Sequence, residues 1–401
     1  MSAVNGAAPR PAARRLNIVI LGLSITSSWG NGHATTYRSL MKALGRRGHD
    51  VLFLECDKPW YREHRDLLQA PAGAVRLYDN LDELHERWGR ELRSADLVIV
   101  GSYVPDGIAT ARLVRSLATG IVAFYDIDTP VTLAALAAGT CEYLTPELIP
   151  GFDLYLSFTG GPVLRHIERH YLAKAARPLH CAVDPEHHRP AGDIPEPDWA
   201  LGYLGTYSID RQPTLDALLC EPARRWPEGR FAVAGPLYPP GIEWPGNVER
   251  IEHVGPDRHA SFYGRQRFTL NVTRTDMIRT GYSPSVRLFE AAACGVPIIS
   301  DWWAGLDEFF VPGREVVVVR DADQVLACLR EMPEGERTEL ARRARDKVLS
   351  HDTAAHRAAL LETYVDEARA RRAKPGPRRT RPAGGRDIAA APSRLVATAP
   401  K

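Results

Sequence analysis

Cysteine is scarce in this sequence, with six residues among 401. No pair of these cysteines has the close spacing of a zinc site, and a chain of this length with so few cysteines is not a disulfide scaffold. A reducing compartment fits this usage best, so we expect a cytoplasmic protein.

Long apolar runs are also missing. No stretch approaches the roughly 18 apolar residues that a membrane-spanning helix needs, and Met1–Arg15 has no signal-peptide core. We therefore expect no transmembrane segment. The net charge of +2 gives no overall field that would attract nucleic acid, so we expect no nucleic-acid partner.

Basic residues gather instead near the C-terminal end. Arg372–Lys401 is rich in Arg, Pro and Gly with few apolar residues, which predicts a disordered basic tail. Such a tail could make weak peripheral contact with an anionic membrane, or could serve only to keep the chain in solution.

The chain does contain a regular alternation of apolar strands and amphipathic helices. Leu16–Leu23 is a strand pattern buried on both faces, Ala34–Arg47 has helical spacing, and Asp50–Glu55 is a second strand. This order indicates a parallel βαβ unit, and a second α/β series begins at Leu201. The expected layout is a disordered leader (1–15), an N-terminal domain (16–185), a linker (186–199), a C-terminal domain (200–352), a helix (353–371) and the tail (372–401). The predicted fold class is α/β, with two Rossmann-like doubly wound domains that face each other across a cleft.

A glycine-containing loop follows the first predicted strand. Glycine lets the backbone approach a ligand closely, so Gly30, Asn31 and Gly32 are candidates for an acceptor-binding or phosphate-binding loop. Thr35 stands where a dinucleotide-binding fingerprint has its third glycine, which argues against a nicotinamide or flavin enzyme. His33 is a candidate general base, or else a helix-terminal residue with only local hydrogen bonds.

Carboxylates also follow the N-terminal strands, namely Asp106, Asp126 and Asp128. Because side chains alternate along an extended chain, only one of Asp126 and Asp128 can easily face the cleft. We take both as candidate catalytic residues with His33, and Asp106 as a further residue of the acceptor side. Pro130 suits the first turn of a helix, so Asp128 or Thr129 could instead cap that helix.

The most informative stretch is Gly281–Asp301, which predicts a loop, a helix capped by Ser285 and ended by Gly295, and a short strand. Arg287 lies in the first turn, where the helix dipole disfavours a cation by roughly 0.3–1 kcal/mol. A bound anion would reverse that sign, so this helix start is a candidate phosphate site. Arg287 could otherwise point into solvent or pair with Glu290.

Further residues suited to a diphosphate lie at other predicted strand ends of the second domain. Gly205, Thr206 and Arg211 follow its first strand and combine small residues with a cation. Arg274 follows a later strand on the same predicted rim.

With these residues assembled, the chain resembles the GT-B glycosyltransferases, and within them the CgeB-like group of spore maturation proteins. The resemblance rests on Gly281–Glu315, on Phe124–Pro130 and on Leu204–Arg211. It implies an enzyme that moves a sugar from a nucleotide-diphosphate sugar, held by the C-terminal domain, to an unknown acceptor on the N-terminal domain. It further implies that Glu290 holds the donor's ribose or sugar, that Ser285, Arg287 and Arg211 with Gly205 and Thr206 hold the diphosphate, and that His253 flanks the base. Such enzymes need neither a metal nor a cofactor.

One position departs from the wider retaining pattern, which has two glutamates eight residues apart. Tyr282 stands eight residues before Glu290, so the first glutamate is missing and the stereochemistry stays open. Two alternatives of the same architecture therefore remain. One is a structural protein that binds sugar or nucleotide without catalysis, and the other is a nucleotide-sugar epimerase.

Overall fold

The computed structural model describes residues 14–192 and 196–373. Most of the expected leader, part of the expected linker and the expected tail from residue 374 onward lie outside these ranges. Within the described ranges, no helix is both long enough and apolar enough to cross a membrane.

The first domain is built on a sheet of parallel strands. In the described residues these are β1 (Asn17–Gly22), β2 (Asp50–Cys56), β3 (Ala74–Tyr78), β4 (Leu97–Gly101), β5 (Ile121–Asp126), β6 (Leu154–Ser157) and β7 (Ala176–Pro178), in the spatial order β3-β2-β1-β4-β5-β6-β7. The central strands are buried on both faces, as their continuous apolar runs predict.

Helices cover both faces of this sheet. They are α1 (His33–Arg46), α2 (Pro59–Arg62), α3 (Leu81–Ser94), α4 (Gly107–Leu117), α5 (Thr129–Ala138) and α6 (Pro162–His170), with a 3₁₀ turn at Pro146–Gly151. Strand order reverses direction between β1 and β4, which places a ligand crevice at the carboxyl ends of these strands.

The second domain repeats this arrangement. Its strands are β8 (Trp199–Leu204), β9 (Phe231–Ala234), β10 (Val248–Ile251), β11 (Gln266–Asn271), β12 (Ile298–Ser300) and β13 (Val317–Val318), all parallel in the order β10-β9-β8-β11-β12-β13. Its helical segments are α7 (Gln212–Leu215), a π-helical turn (Asp216–Cys220), α8 (Glu221–Arg225), a 3₁₀ turn (Pro256–Arg258), α9 (His259–Gly264), α10 (Thr275–Thr280), α11 (Val286–Ala293), α12 (Leu306–Phe309), α13 (Ala322–Glu331) and α14 (Glu334–His351). Two Rossmann-like doubly wound domains are therefore present, as predicted.

The last described helix, α15 (Ala354–Ala373), returns to the first domain. Glu362 accepts hydrogen bonds from Arg47 and contacts the His49 ring at 2.7 Å, just beyond α1. Tyr364 donates to the Pro178 carbonyl at 3.0 Å, and Arg372 donates to Asp153 at 2.6 Å. The N-terminal domain is thus completed by the C-terminal end of the described chain.

Candidate active site

A cavity of about 390 Å³ lies between the two domains, at the carboxyl ends of both sheets. Thirteen of the residues proposed from the sequence line it: Gly30, Asn31, Gly32, His33, Asp128, Gly205, Thr206, Arg211, His253, Arg274, Ser285, Arg287 and Glu290. Asp106 and Asp126 do not.

The loop after β1 uses its hydrogen-bond donors on a carboxylate of the protein itself. The Glu55 carboxylate accepts from the backbone N–H groups of Ile25 and Thr26 at 2.7 and 2.9 Å, and from the Ser24 hydroxyl at 2.9 Å. Glu55 is 1% exposed. Glu55 therefore occupies the donors of the first part of this loop, Ser24 to Thr26. Gly30, Asn31 and Gly32, the proposed acceptor-binding or phosphate-binding residues, follow that part and line the cavity.

His33 is the first residue of α1 and lies against aromatic side chains of the cleft. Its ring is parallel to that of Tyr103, with centroids 6.1 Å apart, and meets Phe158 edge-on at 6.4 Å. In the described chain its buried Nδ1 has no hydrogen-bond partner. Burial lowers the pKa of His33, against the opposing effect of Asp128, so the imidazole is neutral near pH 7 and can accept a proton.

Asp126 and Asp128 diverge at the end of β5. Asp128 lines the cavity, whereas Asp126 is fully buried in the domain, where it accepts hydrogen bonds from Thr132 at 2.6 Å and Tyr155 at 2.5 Å. Burial raises the pKa of Asp126 to about 6. Asp126 is therefore corrected from a candidate catalytic residue to a buried carboxyl group of the domain.

Asp106 is also corrected. It adopts a left-handed conformation (φ 52°) at the N-terminus of α4 and does not line the cavity. The residue of this loop that reaches the cleft is Tyr103, whose hydroxyl donates to Asp128 at 2.9 Å.

Asp128 also joins the two domains. Arg274, which precedes α10 in the second domain, donates to the same carboxylate oxygen at 3.0 Å. The carboxylate therefore holds a cation from the second domain and a hydroxyl donor from the first at the wall of the cavity.

The helix start at α11 has the predicted cap, since the Ser285 hydroxyl accepts from the Arg287 N–H at 3.3 Å. Arg287 is only 5% exposed, so it neither points into solvent nor forms an ion pair with Glu290. Its guanidinium donates to the Leu204 carbonyl and to Asn271 Oδ1, and it lies 4.6 Å from the centre of the Tyr203 ring. Arg287 is thus a fixed positive charge in the cavity wall.

Arg211 has a more available head group. One of its nitrogens donates to the Thr206 carbonyl, while its buried Nε has no hydrogen-bond partner among the described residues. The Nε of Arg274 is likewise buried and without a partner in the described chain. Gly205 leaves room for a different arginine, Arg287, because a Cβ at position 205 would lie 2.7 Å from the Arg287 guanidinium.

Glu290 lies one turn further along α11, almost completely buried. Thr35 and Tyr263 donate weakly to its two oxygens at 3.4 Å each. The ring nitrogens of His188 and His259 lie 3.5 and 3.6 Å from the carboxylate. Burial raises the pKa of Glu290, but His259, His188 and Arg287 outweigh it and hold the pKa below its ordinary value. The carboxylate is ionised near pH 7.

Comparison with known proteins agrees with this architecture. Residues 211–363 match a family model described as glycosyl transferase-like. The chain is similar to sucrose-phosphate synthase from Thermosynechococcus elongatus, with a TM-score of 0.63 and 14% identity over 89% of this chain and 100% of that one. It is also similar to HepE from Anabaena in complex with UDP and glucose, with a TM-score of 0.65 and 11% identity over 88% of this chain and 100% of that one.

The chain has the GT-B fold. A third solved structure, AviGT4, a glycosyltransferase involved in avilamycin A biosynthesis, gives a TM-score of 0.52 at 18% identity, over 88% of this chain and 98% of that one. No curated protein sequence matches this chain significantly. At such low identities the structural likeness establishes the fold and not the reaction.

Within this GT-B fold, Tyr282 has a role that the sequence did not predict. It does not line the cavity, and its ring is enclosed between Gly161 of the first domain and Gly305 of the second. A Cβ at Gly161 or Gly305 would lie 2.4 or 2.5 Å from that ring. The Tyr282 carbonyl accepts from the Gly160 N–H at 2.8 Å, and the residue has a positive φ of 51°. Tyr282 therefore forms part of the contact between the two domains of the GT-B fold.

Sequence reasoning also missed polar residues around Glu290. Thr35 and Tyr263 carry no motif, and they reach the carboxylate only because α1 and α9 converge on α11. His188 lies in the segment that was expected to be a linker, and composition alone assigned it no site. His253, which the resemblance implies lies beside the base, lines the cavity and is partly buried.

Proposed function

We propose that the protein is a glycosyltransferase that moves a sugar from a nucleotide-diphosphate donor to an acceptor held by the N-terminal domain. The observation that carries this proposal is the set of three arginines, Arg211, Arg274 and Arg287, on one side of an interdomain cavity with His33 on the other. The family model over residues 211–363 and the GT-B fold support it.

The diphosphate is proposed to bind at the start of α11. Arg211 and Arg274 offer buried Nε donors without partners in the described chain, and Arg287 adds a fixed positive charge. As the sugar leaves, negative charge develops on the diphosphate, and these cations with the helix N-terminus would stabilise it without a metal. Glu290 would accept hydrogen bonds from donor hydroxyls, and His253 would lie beside the base.

The acceptor is proposed to bind on the N-terminal side, beside His33. The neutral imidazole would take the proton of the acceptor hydroxyl as the new bond to the sugar forms. Asp128 would orient the acceptor by accepting a hydrogen bond from it. Arg274 and Tyr103 both donate to one oxygen of this carboxylate and so hold it in place.

The test is a titration with UDP, GDP, dTDP and ADP, followed by thermal denaturation. UDP is the first probe because HepE has been solved with UDP. A ligand at 100 times its dissociation constant adds about 2.7 kcal/mol to the free energy of unfolding. Arg211→Gln should weaken binding, whereas Arg224→Gln, an exposed arginine paired with Glu221 outside the cavity, is the matched control. No stabilisation by any nucleotide would count against the proposal.

A second candidate function keeps the donor site without catalysis. It is favoured by Tyr282, which stands where the retaining pattern has its first glutamate and lies outside the cavity. An assay for slow hydrolysis of the nucleotide sugar distinguishes the two functions. A glycosyltransferase usually transfers some sugar to water, whereas a binding protein leaves the donor intact. Product analysis with donor alone would reveal an epimerase.

A further inference from the structure

A cluster of three metal-ligand side chains lies in the wall of the cleft, formed by His188, His259 and Glu290. His188 belongs to the segment between the domains, His259 begins α9, and Glu290 lies on α11. One ligand atom from each lies within 4.8 Å of the others. The fold therefore brings together three side chains from three separate elements.

The histidines are not explained by hydrogen bonding. His188 is 3% exposed, and neither of its ring nitrogens has a hydrogen-bond partner in the described chain. Nδ1 of His259 is also buried without a partner there. Leaving buried polar nitrogens unpaired costs free energy, so their orientation toward Glu290 requires a cause.

The spacing suits a metal better than hydrogen bonds. The His188 Nε2 and His259 Nδ1 atoms lie 3.5 and 3.6 Å from the Glu290 oxygens. With metal–ligand bonds of about 2.0–2.2 Å, ligand atoms at two corners of a tetrahedron lie about 3.3–3.5 Å apart. Each imidazole therefore lies about one such edge from a carboxylate oxygen of Glu290, His188 from Oε1 and His259 from Oε2.

The charge of Glu290 also fits a metal site. Among the described residues, the groups paired with this buried carboxylate are the imidazoles of His188 and His259, and no lysine or arginine lies within ion-pair distance of it. A buried carboxylate is stabilised by a paired cation or a metal. Two imidazoles and one carboxylate form a donor set that suits zinc and related transition metals rather than magnesium.

We propose that His188, His259 and Glu290 form a binding site for a zinc-class divalent metal ion, with the fourth position open to the cleft. Glu290 and His259 line the main cavity, and His188 lines a neighbouring cavity of about 380 Å³ on the other side of Thr35 and Pro256. An ion there ties the interdomain segment to the donor domain. It also takes the carboxylate that the proposed function assigns to the donor, so zinc weakens nucleotide binding.

The test is a zinc titration of metal-free full-length protein by calorimetry, repeated with Co²⁺ to record its absorption spectrum and with Mg²⁺ as the comparison metal. One complication is His166 and His170, an exposed pair on α6 with rings stacked at 4.9 Å, which could bind zinc adventitiously. His166→Ala removes that pair and is the matched control.

We expect one zinc ion per chain that is retained in His166→Ala and bound about 100-fold more weakly in His188→Ala and Glu290→Gln. The cobalt complex should show the intense visible bands of a tetrahedral site, and Mg²⁺ should not compete. Zinc binding that is unchanged in a folded His188→Ala variant, or that disappears in His166→Ala, would overturn the proposal. Because these readouts use the metal alone, they stand or fall separately from nucleotide binding, which is measured in the presence of a chelator.

Discussion

Arg287 gives the sharpest test of how the candidate site is built. Its side chain is buried, donates to Asn271 Oδ1 at 2.9 Å and to the Leu204 carbonyl, and packs on the Tyr203 ring. Arg287→Ala removes a charge-assisted bond worth about 1.5–3 kcal/mol and leaves Asn271 Oδ1 buried without a donor, which costs about 1–3 kcal/mol more. We therefore expect the free energy of unfolding to fall by about 2.5–6 kcal/mol.

The same substitution should weaken nucleotide binding. Loss of the fixed positive charge is expected to cost about 1.5–3 kcal/mol of binding free energy, measured by calorimetry at a temperature where the variant stays folded. Arg287→Lys keeps the charge but not the planar fork, so it should lose stability while retaining part of the nucleotide affinity.

Arg357→Ala is the control for instability alone. Arg357 is also buried and hydrogen-bonded, to Asp352 and to the Cys181 carbonyl, but it does not line the cavity. It should lower stability and leave nucleotide affinity unchanged. Wild-type stability in Arg287→Ala would refute the packing argument, and wild-type affinity in the folded variant would refute the phosphate role.

Three further predictions concern other parts of the molecule. The pKa of Asp126 is about 6 in the folded protein against an ordinary 3.8, so ionisation of this carboxyl group opposes folding. The free energy of unfolding of the wild type should therefore fall by about 3 kcal/mol as the pH rises from 4 to above 6. Denaturant titrations over this pH range should show a smaller fall for Asp126→Asn. Gly161→Ala should destabilise the protein by about 2–4 kcal/mol in thermal melts, because its Cβ meets Tyr282 at a positive φ, whereas Gly139→Ala, at φ 69° with open space, should lose only about 1–2 kcal/mol. Glu362→Gln should loosen α15 by about 1 kcal/mol and speed hydrogen exchange there, and unchanged exchange would show that its contacts with Arg47 and His49 contribute little.

Much of the fold was predictable because its strands are continuous apolar runs. β1 and β2 are such runs, and their predicted bounds, Leu16–Leu23 and Asp50–Glu55, lie within one residue of the observed ones at each end. β3, by contrast, is a partly exposed edge strand, and β7 has only three residues, so neither has a sequence pattern strong enough to distinguish it from a loop.

The candidate site was predictable where function depends on local geometry. The cap at Ser285 and the first-turn position of Arg287 follow from short-range rules, and both residues line the cavity. Glu55 and Asp126 show where such rules fail. The orientation of each carboxylate depends on hydrogen-bond partners far away in the sequence, such as Thr26 for Glu55 and Tyr155 for Asp126. A local sequence pattern does not identify such partners.

The return of α15 to the first domain has a consequence for how the chain is made. The surface of α1 and the ends of β5–β7 are covered by residues that leave the ribosome last among those described, whereas the first sheet is complete by Pro178. At about 5–20 residues per second, the intervening synthesis takes roughly 10–40 s. During that interval the nascent N-terminal domain exposes the apolar patch that Leu361, Tyr364 and Val365 later cover. The order of translation thus leaves this patch of the N-terminal domain uncovered until its final helix has been made.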